Sequence, residues 1–351
     1  MKKVLFLEKV FLKERKSPKL RGVELFNFSL IKDLLAQNIE IFSIVHISWK
    51  DTFQENFKSP YLHVQYTNQK MSFLSVIFKL LLLKKEKIDI LFLANTGDTL
   101  LGAMLVSKLF RITRKQVLLA HREPSKAFLI ASKFVKLVAV SVNQKFASIF
   151  KKAGCPVSKV YYGVKNASKF LEFNIHKDHE KVVFGVVGDL DNKWKGADTA
   201  IEAFSMLSKE ANNICELRLA SYTNNLPINL PNNIKAFKWL PYEEVVNFFN
   251  ELDVLIVPSY DEKVMRETFS QAMVQGMLSG LPILENDLEI LKEKLNQGGG
   301  FIFKNSNELK EKIEELAFNK NLRIYLGEKA RKVAIQRYIW DTEYFSEKFL
   351  R

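Results

Sequence analysis

Cysteine is scarce in this chain of 351 residues, which has only Cys155 and Cys215. Two cysteines exclude a disulfide framework and a zinc site with four cysteine ligands, and they indicate a reducing compartment. Long apolar runs are missing as well. The longest, residues 73–83, is interrupted by Lys79 and has about half of the ~20 residues that a membrane span needs. The short apolar run before Glu8 is typical of a strand rather than a signal peptide. We therefore expect a soluble, cytoplasmic protein.

Several motifs of well-known enzyme classes are also absent. The chain has no G-x-x-x-x-G-K-[ST] sequence, which excludes a P-loop nucleoside triphosphatase. Gly185 and Gly188 do not form a G-x-G-x-x-G fingerprint, so nicotinamide chemistry is not indicated. No G-x-S-x-G elbow of the α/β-hydrolases occurs either.

Positive charge is abundant and unevenly distributed. The chain has 53 Lys and Arg against 39 Asp and Glu, a formal net charge of +14. Residues 1–180 have 31 basic and 14 acidic side chains, and residues 181–351 have 22 and 25, so the whole surplus lies in the first half. Such a surface attracts anionic lipid or other polyanions. Nucleic acid is not expected, because no zinc finger, RNP motif or basic zipper is present. The alternative is a lysine-rich, solvated surface with no ligand.

Short β-branched and aromatic runs alternate with longer amphipathic stretches over most of the chain. This alternation is the pattern of parallel βαβ units, and it predicts an α/β fold. Among the predicted elements are strands at residues 135–140 and 254–257 and helices at residues 197–209 and 268–279.

The alternation is interrupted once, at residues 167–180, which are polar and have no convincing period. We predict an interdomain linker there. The resulting domains are an N-terminal Rossmann-like domain at 1–166 and a C-terminal one at 181–335, and residues 336–351 are predicted to form a helix that packs back on the first domain. Ligands are expected at the carboxyl ends of the strands.

The most informative segment follows the predicted strand 254–257. An acidic loop leads to Glu267, and a helix is predicted from Thr268. A helix start presents free backbone N–H groups and a positive dipole end, which suit a diphosphate. Glu267 would accept hydrogen bonds from sugar hydroxyls. Gln275 lies eight residues further on and about 12 Å along the helix, where it could reach a ribose.

This segment resembles the donor-site motif of the retaining GT-B glycosyltransferases of the glycosyltransferase 4 family (group 1 glycosyl transferases). In this chain the motif comprises Glu267-Thr268-Phe269-Ser270, then Gln275, where the family usually has a second Glu, and then Gly280-Leu281-Pro282. Further landmarks follow the family's order: Gly22-Val23-Glu24, His121, and the segment from Gly188 to Gly196, in which Asp189 replaces the usual Arg.

The resemblance implies a GT-B fold, in which two Rossmann-like doubly wound domains face each other across a cleft. It also implies a glycosyltransferase that moves a sugar from a nucleotide-diphosphate donor to a glycan or lipid-linked acceptor of the cell envelope, with retention. Neither a metal nor a resident cofactor is expected. The basic first half would hold the acceptor and contact the inner face of an anionic membrane. His121 and Glu267 are the predicted catalytic residues, and the predicted donor-binding residues are Gly22, Gly188, Lys193, Lys195, Thr268, Phe269, Ser270 and Gln275.

Two alternatives remain open at the level of sequence. Gln275, Asp189 and Arg21, which replaces the first Gly of the family's Gly-Gly-x-E loop, depart from the family pattern and are compatible with a catalytically weak protein that binds nucleotide sugars. A GT-B epimerase acting on a nucleotide sugar without an acceptor would share the same motifs.

Overall fold

The computed structural model describes residues 1–14, 22–67, 73–141, 143–159, 163–173, 180–221, 230–237, 242–261 and 267–350. The chain divides into two compact units. Unit 1 comprises Met1–Tyr161 and Trp340–Arg351, and unit 2 comprises Tyr162–Ile339. Each unit contains one parallel sheet flanked by helices. The predicted α/β class with two Rossmann-like domains is confirmed.

The sheet of unit 1 has seven parallel strands in the order β3-β2-β1-β4-β5-β6-β7. These strands are β1 (Lys3–Leu7), β2 (Glu40–His46), β3 (Leu62–Thr67), β4 (Ile90–Leu93), β5 (Lys115–Ala120), β6 (Val138–Ser141) and β7 (Val157–Lys159). The helices between them are α1 (Gly22–Ala36), α2 (Lys50–Asn56), α3 (Phe73–Leu82), α4 (Asp98–Leu109), α5 (Lys126–Val135) and α6 (Gln144–Lys152). The strand order reverses between β1 and β4, where a doubly wound sheet binds its ligands.

The sheet of unit 2 has six parallel strands in the order β10-β9-β8-β11-β12-β13. These are β8 (Val182–Gly188), β9 (Cys215–Ser221), β10 (Ile234–Phe237), β11 (Val254–Val257), β12 (Ile283–Asn286) and β13 (Gly300–Phe303). Its helices are α7 (Ser168–Leu171), α8 (Ala197–Ser205), α9 (Lys209–Ile214), α10 (Tyr242–Asn250), α11 (Gln271–Leu278), α12 (Glu289–Leu295), α13 (Ser306–Phe318) and α14 (Lys320–Arg337). Here the order reverses between β8 and β11.

The C-terminal segment belongs to unit 1. After α14 the chain forms α15 (Thr342–Phe345) and one π-helical turn at Ser346–Leu350. Thr342 Oγ1 donates a hydrogen bond of 2.7 Å to Asp33 of α1, and Phe345 lies edge-on to Phe92 of β4. These contacts attach the end of the chain to the first sheet.

Two predicted elements were wrong in detail. The strand expected at 135–140 begins only at Val138, because residues 126–135 form α5. Ser125 caps that helix by accepting a hydrogen bond from the Phe128 amide, and the buried residues of α5 follow helical spacing. The helix expected at 197–209 ends at Ser205, and a separate helix that was not predicted, α9, begins at Lys209 after the N-cap Ser208.

The predicted linker at 167–180 also contains regular structure. Its first part forms α7, in which Phe170 is fully buried and packs against Phe249 of α10. Residues 174–179 lie outside the described part of the chain. Among the described residues, no helix is long and apolar enough to cross a bilayer. Both cysteines are buried and free.

Candidate functional site

Most of the predicted donor-binding residues of unit 2 follow β8 or precede α11, at the carboxyl edge of the sheet where β8 and β11 are neighbours. After β8 the chain makes a short 3-10 turn at Lys193–Lys195 that ends at Gly196. A Cβ atom at Gly196 would lie 2.1 Å from the Pro258 carbonyl oxygen, and its φ of +70° favours glycine. The Tyr260 amide also donates to the Trp194 carbonyl, at 2.8 Å. The loops after the two strands are therefore held together.

Lys195 and Glu267 form a partly buried ion pair at this edge. Lys195 Nζ lies 2.7 Å from Glu267 Oε2, and the two side chains are 20% and 8% exposed. The same ammonium lies 4.2 Å from the ring centroid of Trp194. A side chain at Gly188 would begin 3.7 Å from Lys195 Cδ, so the lysine stem passes over this glycine. The predicted residues Gly188, Lys195 and Glu267 are therefore brought together.

The helix after Glu267 starts later than predicted. It begins at Gln271, not Thr268, and Ser270 is its N-cap, with a side chain that accepts from the Met273 amide at 3.3 Å. Ser270 has a left-handed φ of +61°, a conformation that costs a non-glycine residue on the order of 1 kcal/mol. The cap, rather than the residue after the acidic loop, sets the start of the helix.

The three backbone amides expected to be free are engaged. Those of Thr268, Phe269 and Ser270 donate to Glu267 Oε1 at 3.1, 3.4 and 2.9 Å. The prediction that these N–H groups are open to a diphosphate was wrong. The reason is that Glu267 folds back on them and places its own carboxylate at the positive end of the helix.

Glu267 is held in its charged form. Burial by itself raises the pKa of this carboxyl, but the charge and hydrogen bond of Lys195 and the amides of Ser270 and Phe269 outweigh burial and hold the pKa below its usual value. The site therefore contains a fixed carboxylate next to a fixed ammonium.

The other two predicted residues of this unit stand in different surroundings. Lys193 is exposed on the turn before Lys195. Gln275 lies in the middle of α11 and is buried, and its Oε1 accepts no hydrogen bond from any described residue.

Two buried ionisable residues of unit 2, Lys294 and Glu285, were not predicted. Lys294 of α12 is buried, and its ammonium lies 4.7 Å from the Phe269 ring and 5.8 Å from the Tyr338 ring. Glu285, at the carboxyl end of β12, is fully buried, and neither of its carboxylate oxygens accepts a hydrogen bond from a described residue. Burial raises the pKa of Glu285 to about 8, against the opposing charges of Lys294 and Lys292. In the sequence, Glu285 could have been found as a glutamate at the end of an apolar run, Ile283-Leu284-Glu285.

His121 and Gly22 lie in unit 1. Gly22 is the first residue of α1, and His121 directly follows β5. His121 is buried, with its ring 5.9 Å from that of Phe26. Burial, helped by the charge of Arg122, lowers the pKa of His121 to about 3, so its imidazole is neutral at physiological pH.

Glu8 and Asn95 occupy the same carboxyl edge of unit 1, and sequence reasoning missed both. Glu8 follows β1 and is fully buried, and it accepts hydrogen bonds from the Val10 amide and from Asn27. Burial raises its pKa to about 7, although these bonds, one from Asn95 and the charge of Arg122 act against it. The signal that could have found them is a polar residue immediately after a buried apolar strand.

The described part of the chain contains no group of three or more His, Cys, Asp or Glu residues that could hold a metal ion.

Comparison with known families and structures agrees with the motifs. Residues 168–333, which lie within unit 2, match the family model "Glycosyl transferases group 1". This match supports the resemblance to the group 1 glycosyltransferases that the motifs indicated. An uncharacterized glycosyltransferase of Methanocaldococcus jannaschii is 29% identical over 153 residues, which is 42% of this chain and 41% of that protein. The chain thus covers less than half the length of this curated relative.

Solved structures show the fold over the whole chain. HepE of Anabaena, in complex with UDP and glucose, superposes with a TM-score of 0.69 at 16% identity and covers 100% of this chain and 98% of its own. WaaG, a glycosyltransferase involved in lipopolysaccharide biosynthesis, superposes with a TM-score of 0.66 at 14% identity and covers 99% of both chains. The two units therefore have the GT-B architecture of these glycosyltransferases.

Proposed function

We propose that this chain is a group 1 glycosyltransferase that transfers a sugar from a nucleotide-diphosphate donor to an acceptor, with retention, as in the glycosyltransferase 4 family. The observation that carries the proposal is the Lys195–Glu267 pair at the reversal point of the second sheet. A cation and a carboxylate fixed side by side match a donor that has a diphosphate next to sugar hydroxyls. The strained backbone of Ser270 at the same place also supports a functional site.

The roles follow from the charges. Lys195 and the exposed Lys193 would bind the diphosphate and stabilise the negative charge that develops on it as it leaves. The carboxylate of Glu267 would accept hydrogen bonds from the donor sugar. Because the amides of residues 268–270 already donate to this carboxylate, they would orient Glu267 rather than hold the phosphate. The unsatisfied oxygen of Gln275 would accept from a ribose hydroxyl.

In the proposed reaction the acceptor hydroxyl oxygen bonds to the anomeric carbon as the bond from that carbon to the diphosphate oxygen breaks. The acceptor proton passes to the leaving diphosphate. His121, neutral because of its burial, would contact the sugar by hydrogen bonding without carrying a charge. Unit 1 would hold the acceptor, a glycan or lipid-linked glycan of the cell envelope, at the edge that contains Glu8 and Asn95. HepE, bound to UDP and glucose, and WaaG, from lipopolysaccharide biosynthesis, are the structural neighbours that motivate these ligands.

A thermal-shift screen against UDP-, GDP- and ADP-sugars identifies the donor, because a ligand at 100 times its dissociation constant stabilises by about 2.7 kcal/mol. Turnover is then measured as nucleotide release with and without candidate acceptors. We expect Glu267→Ala to raise the activation barrier by about 2 kcal/mol or more, while Glu311→Ala, an exposed glutamate of the same unit, leaves turnover unchanged. Chelation of divalent metals should also leave turnover unchanged.

The screen separates the alternatives as well. Saturable binding with no turnover under any acceptor would identify a nucleotide-sugar-binding protein instead. Conversion of the donor to an isomeric nucleotide sugar without an acceptor would identify an epimerase. Equal turnover of Glu267→Ala and the unmodified protein would refute the assigned site.

A further inference from the structure

Three helices of unit 1 form one layer with an apolar outer surface. Buried side chains of α3, α4 and α5, among them Val76, Met104 and Phe128, belong to one core cluster on the same side of the sheet. Helix α4 packs between α3 and α5. The opposite, outward surface of this layer should be polar in a protein that is surrounded only by water.

It is not polar. Six large apolar side chains point away from the core and are 46–74% exposed: Phe78, Leu82, Leu109, Phe110, Ile130 and Phe134. Phe78 and Leu82 are four residues apart on α3, and Ile130 and Phe134 are four apart on α5, so each pair shares a helix face. Together they expose on the order of 700 Å² of surface on three neighbouring helices, whereas exposed apolar residues on a monomer are usually scattered singly. We call these six residues the apolar face.

The segments that contain the apolar face are rich in basic residues. Residues 78–87, 105–111 and 126–136 contain nine Lys or Arg and one acid, Glu86. Because helices that connect parallel strands all run in the same direction, the C-terminal ends of α3, α4 and α5 lie at one edge of the layer. Lysines there complement the helix dipoles, which accounts for some of the charge. The dipoles do not account for phenylalanine and leucine exposed beside the lysines.

We propose that the apolar face is a docking surface for an anionic lipid bilayer. The phenylalanine, leucine and isoleucine side chains enter the boundary between head groups and acyl chains, and the lysines and arginines of the same segments contact lipid phosphates. A second copy of the chain fits less well, because a twofold interface places the same surface on both partners and so brings like charges together. This inference is independent of the donor site and of the proposed transfer reaction.

The test is sedimentation of the full chain with vesicles of phosphatidylcholine alone and of phosphatidylcholine with phosphatidylglycerol. We expect binding to the anionic vesicles only, weakened by added salt. Two double variants probe the two components of the surface: Ile130→Ser with Phe134→Ser, and Lys84→Glu with Lys85→Glu. Each should weaken binding about tenfold or more. All four residues are exposed, so the melting temperatures should stay close to that of the unmodified protein.

Matched controls come from unit 2. Phe318 and Lys209 are exposed there, and Phe318→Ser and Lys209→Glu should bind vesicles like the unmodified protein. Equal binding to neutral vesicles, or unchanged binding of both double variants, would overturn the proposal. So would a dimer in sedimentation-velocity runs that becomes a monomer in Ile130→Ser with Phe134→Ser, because the face would then be an interface between copies.

Discussion

Lys195 Nζ lies 2.7 Å from Glu267 Oε2 although the two residues are 72 positions apart in the chain. The pair joins the loop after β8 to the segment before α11. Because both side chains are largely removed from water, each depends on the other for compensation of its charge. Four consequences of the structure around this pair and in the two sheets can be measured.

Removing one member of the pair should destabilise unit 2. We expect Lys195→Met to lower the free energy of unfolding by about 3 kcal/mol, because it leaves a buried carboxylate without its cation. The double variant Lys195→Met with Glu267→Gln should recover part of this loss. Urea denaturation of the unmodified protein, the single variants Lys195→Met and Glu267→Gln, and the double variant gives the coupling free energy of the pair. The exposed pair of Lys312 and Glu315 is the control, since Lys312→Met should cost less than about 1 kcal/mol. Strict additivity of the two site substitutions would contradict the assigned pairing.

Gly196 should tolerate no side chain. Its φ is positive, and a Cβ atom there would lie 2.1 Å from the Pro258 carbonyl oxygen, so Gly196→Ala should cost about 2 kcal/mol or more. At Gly188 the nearest atom to such a Cβ is 3.7 Å away, and Gly188→Ala should change stability by about 0.5 kcal/mol or less. Thermal unfolding compares the melting temperatures of the two variants. Similar values would show that Gly196 is not packed against the Pro258 carbonyl as described.

Glu285 should make unit 2 less stable as pH rises. Its pKa is raised from 4.5 to about 8, so above pH 4.5 the unfolded chain loses this proton more readily than the folded one. The stabilisation that is present below the unfolded pKa is lost as pH rises through the folded value. Lys294, Lys292 and Asp287 are the charged groups that act on it. We expect Glu285→Gln to gain about 2 kcal/mol or more over the unmodified protein near pH 8 and little near pH 4.

Urea denaturation at several pH values measures the difference, and Glu311→Gln on the surface of α13 serves as the control. A difference between Glu285→Gln and the unmodified protein that does not change with pH would mean that this carboxyl does not titrate as its burial requires.

His121 should remain neutral throughout the physiological range. Its pKa is lowered to about 3 in the folded chain, and that of an unfolded histidine is near 6.5. Its contribution to stability is therefore present above about pH 6.5 and is lost as pH falls towards 3. His121→Gln should reduce the acid sensitivity of unit 1 in this window. In NMR spectra, the His121 ring resonances should not shift between about pH 5 and pH 8. A titration midpoint near 6.5 would show that the ring is solvated.

Much of the fold follows from local patterns. Strands β8 and β11 are apolar runs buried on both sides, and that pattern is readable because a central parallel strand tolerates little else. Helix α5 was missed because its apolar C-terminal residues run directly into β6, and only the Ser125 cap separates helix from strand at the other end. Helix α8 was predicted too long and helix α9 was missed, since the single Ser208 cap is a weaker signal than an apolar period.

Residue types and their order were enough to indicate a sugar-nucleotide chemistry, because Glu267, Lys195 and Gly196 fall in a recognisable arrangement along the chain. The contacts that these residues make depend on the tertiary structure. The ion pair of Lys195 with Glu267, the burial of Glu285, and the apolar face on α3, α4 and α5 all depend on contacts between distant segments. A hydrogen bond or a charge interaction is set by distances of a few ångströms and by the exclusion of water, and neither is specified until the sheets have formed and packed.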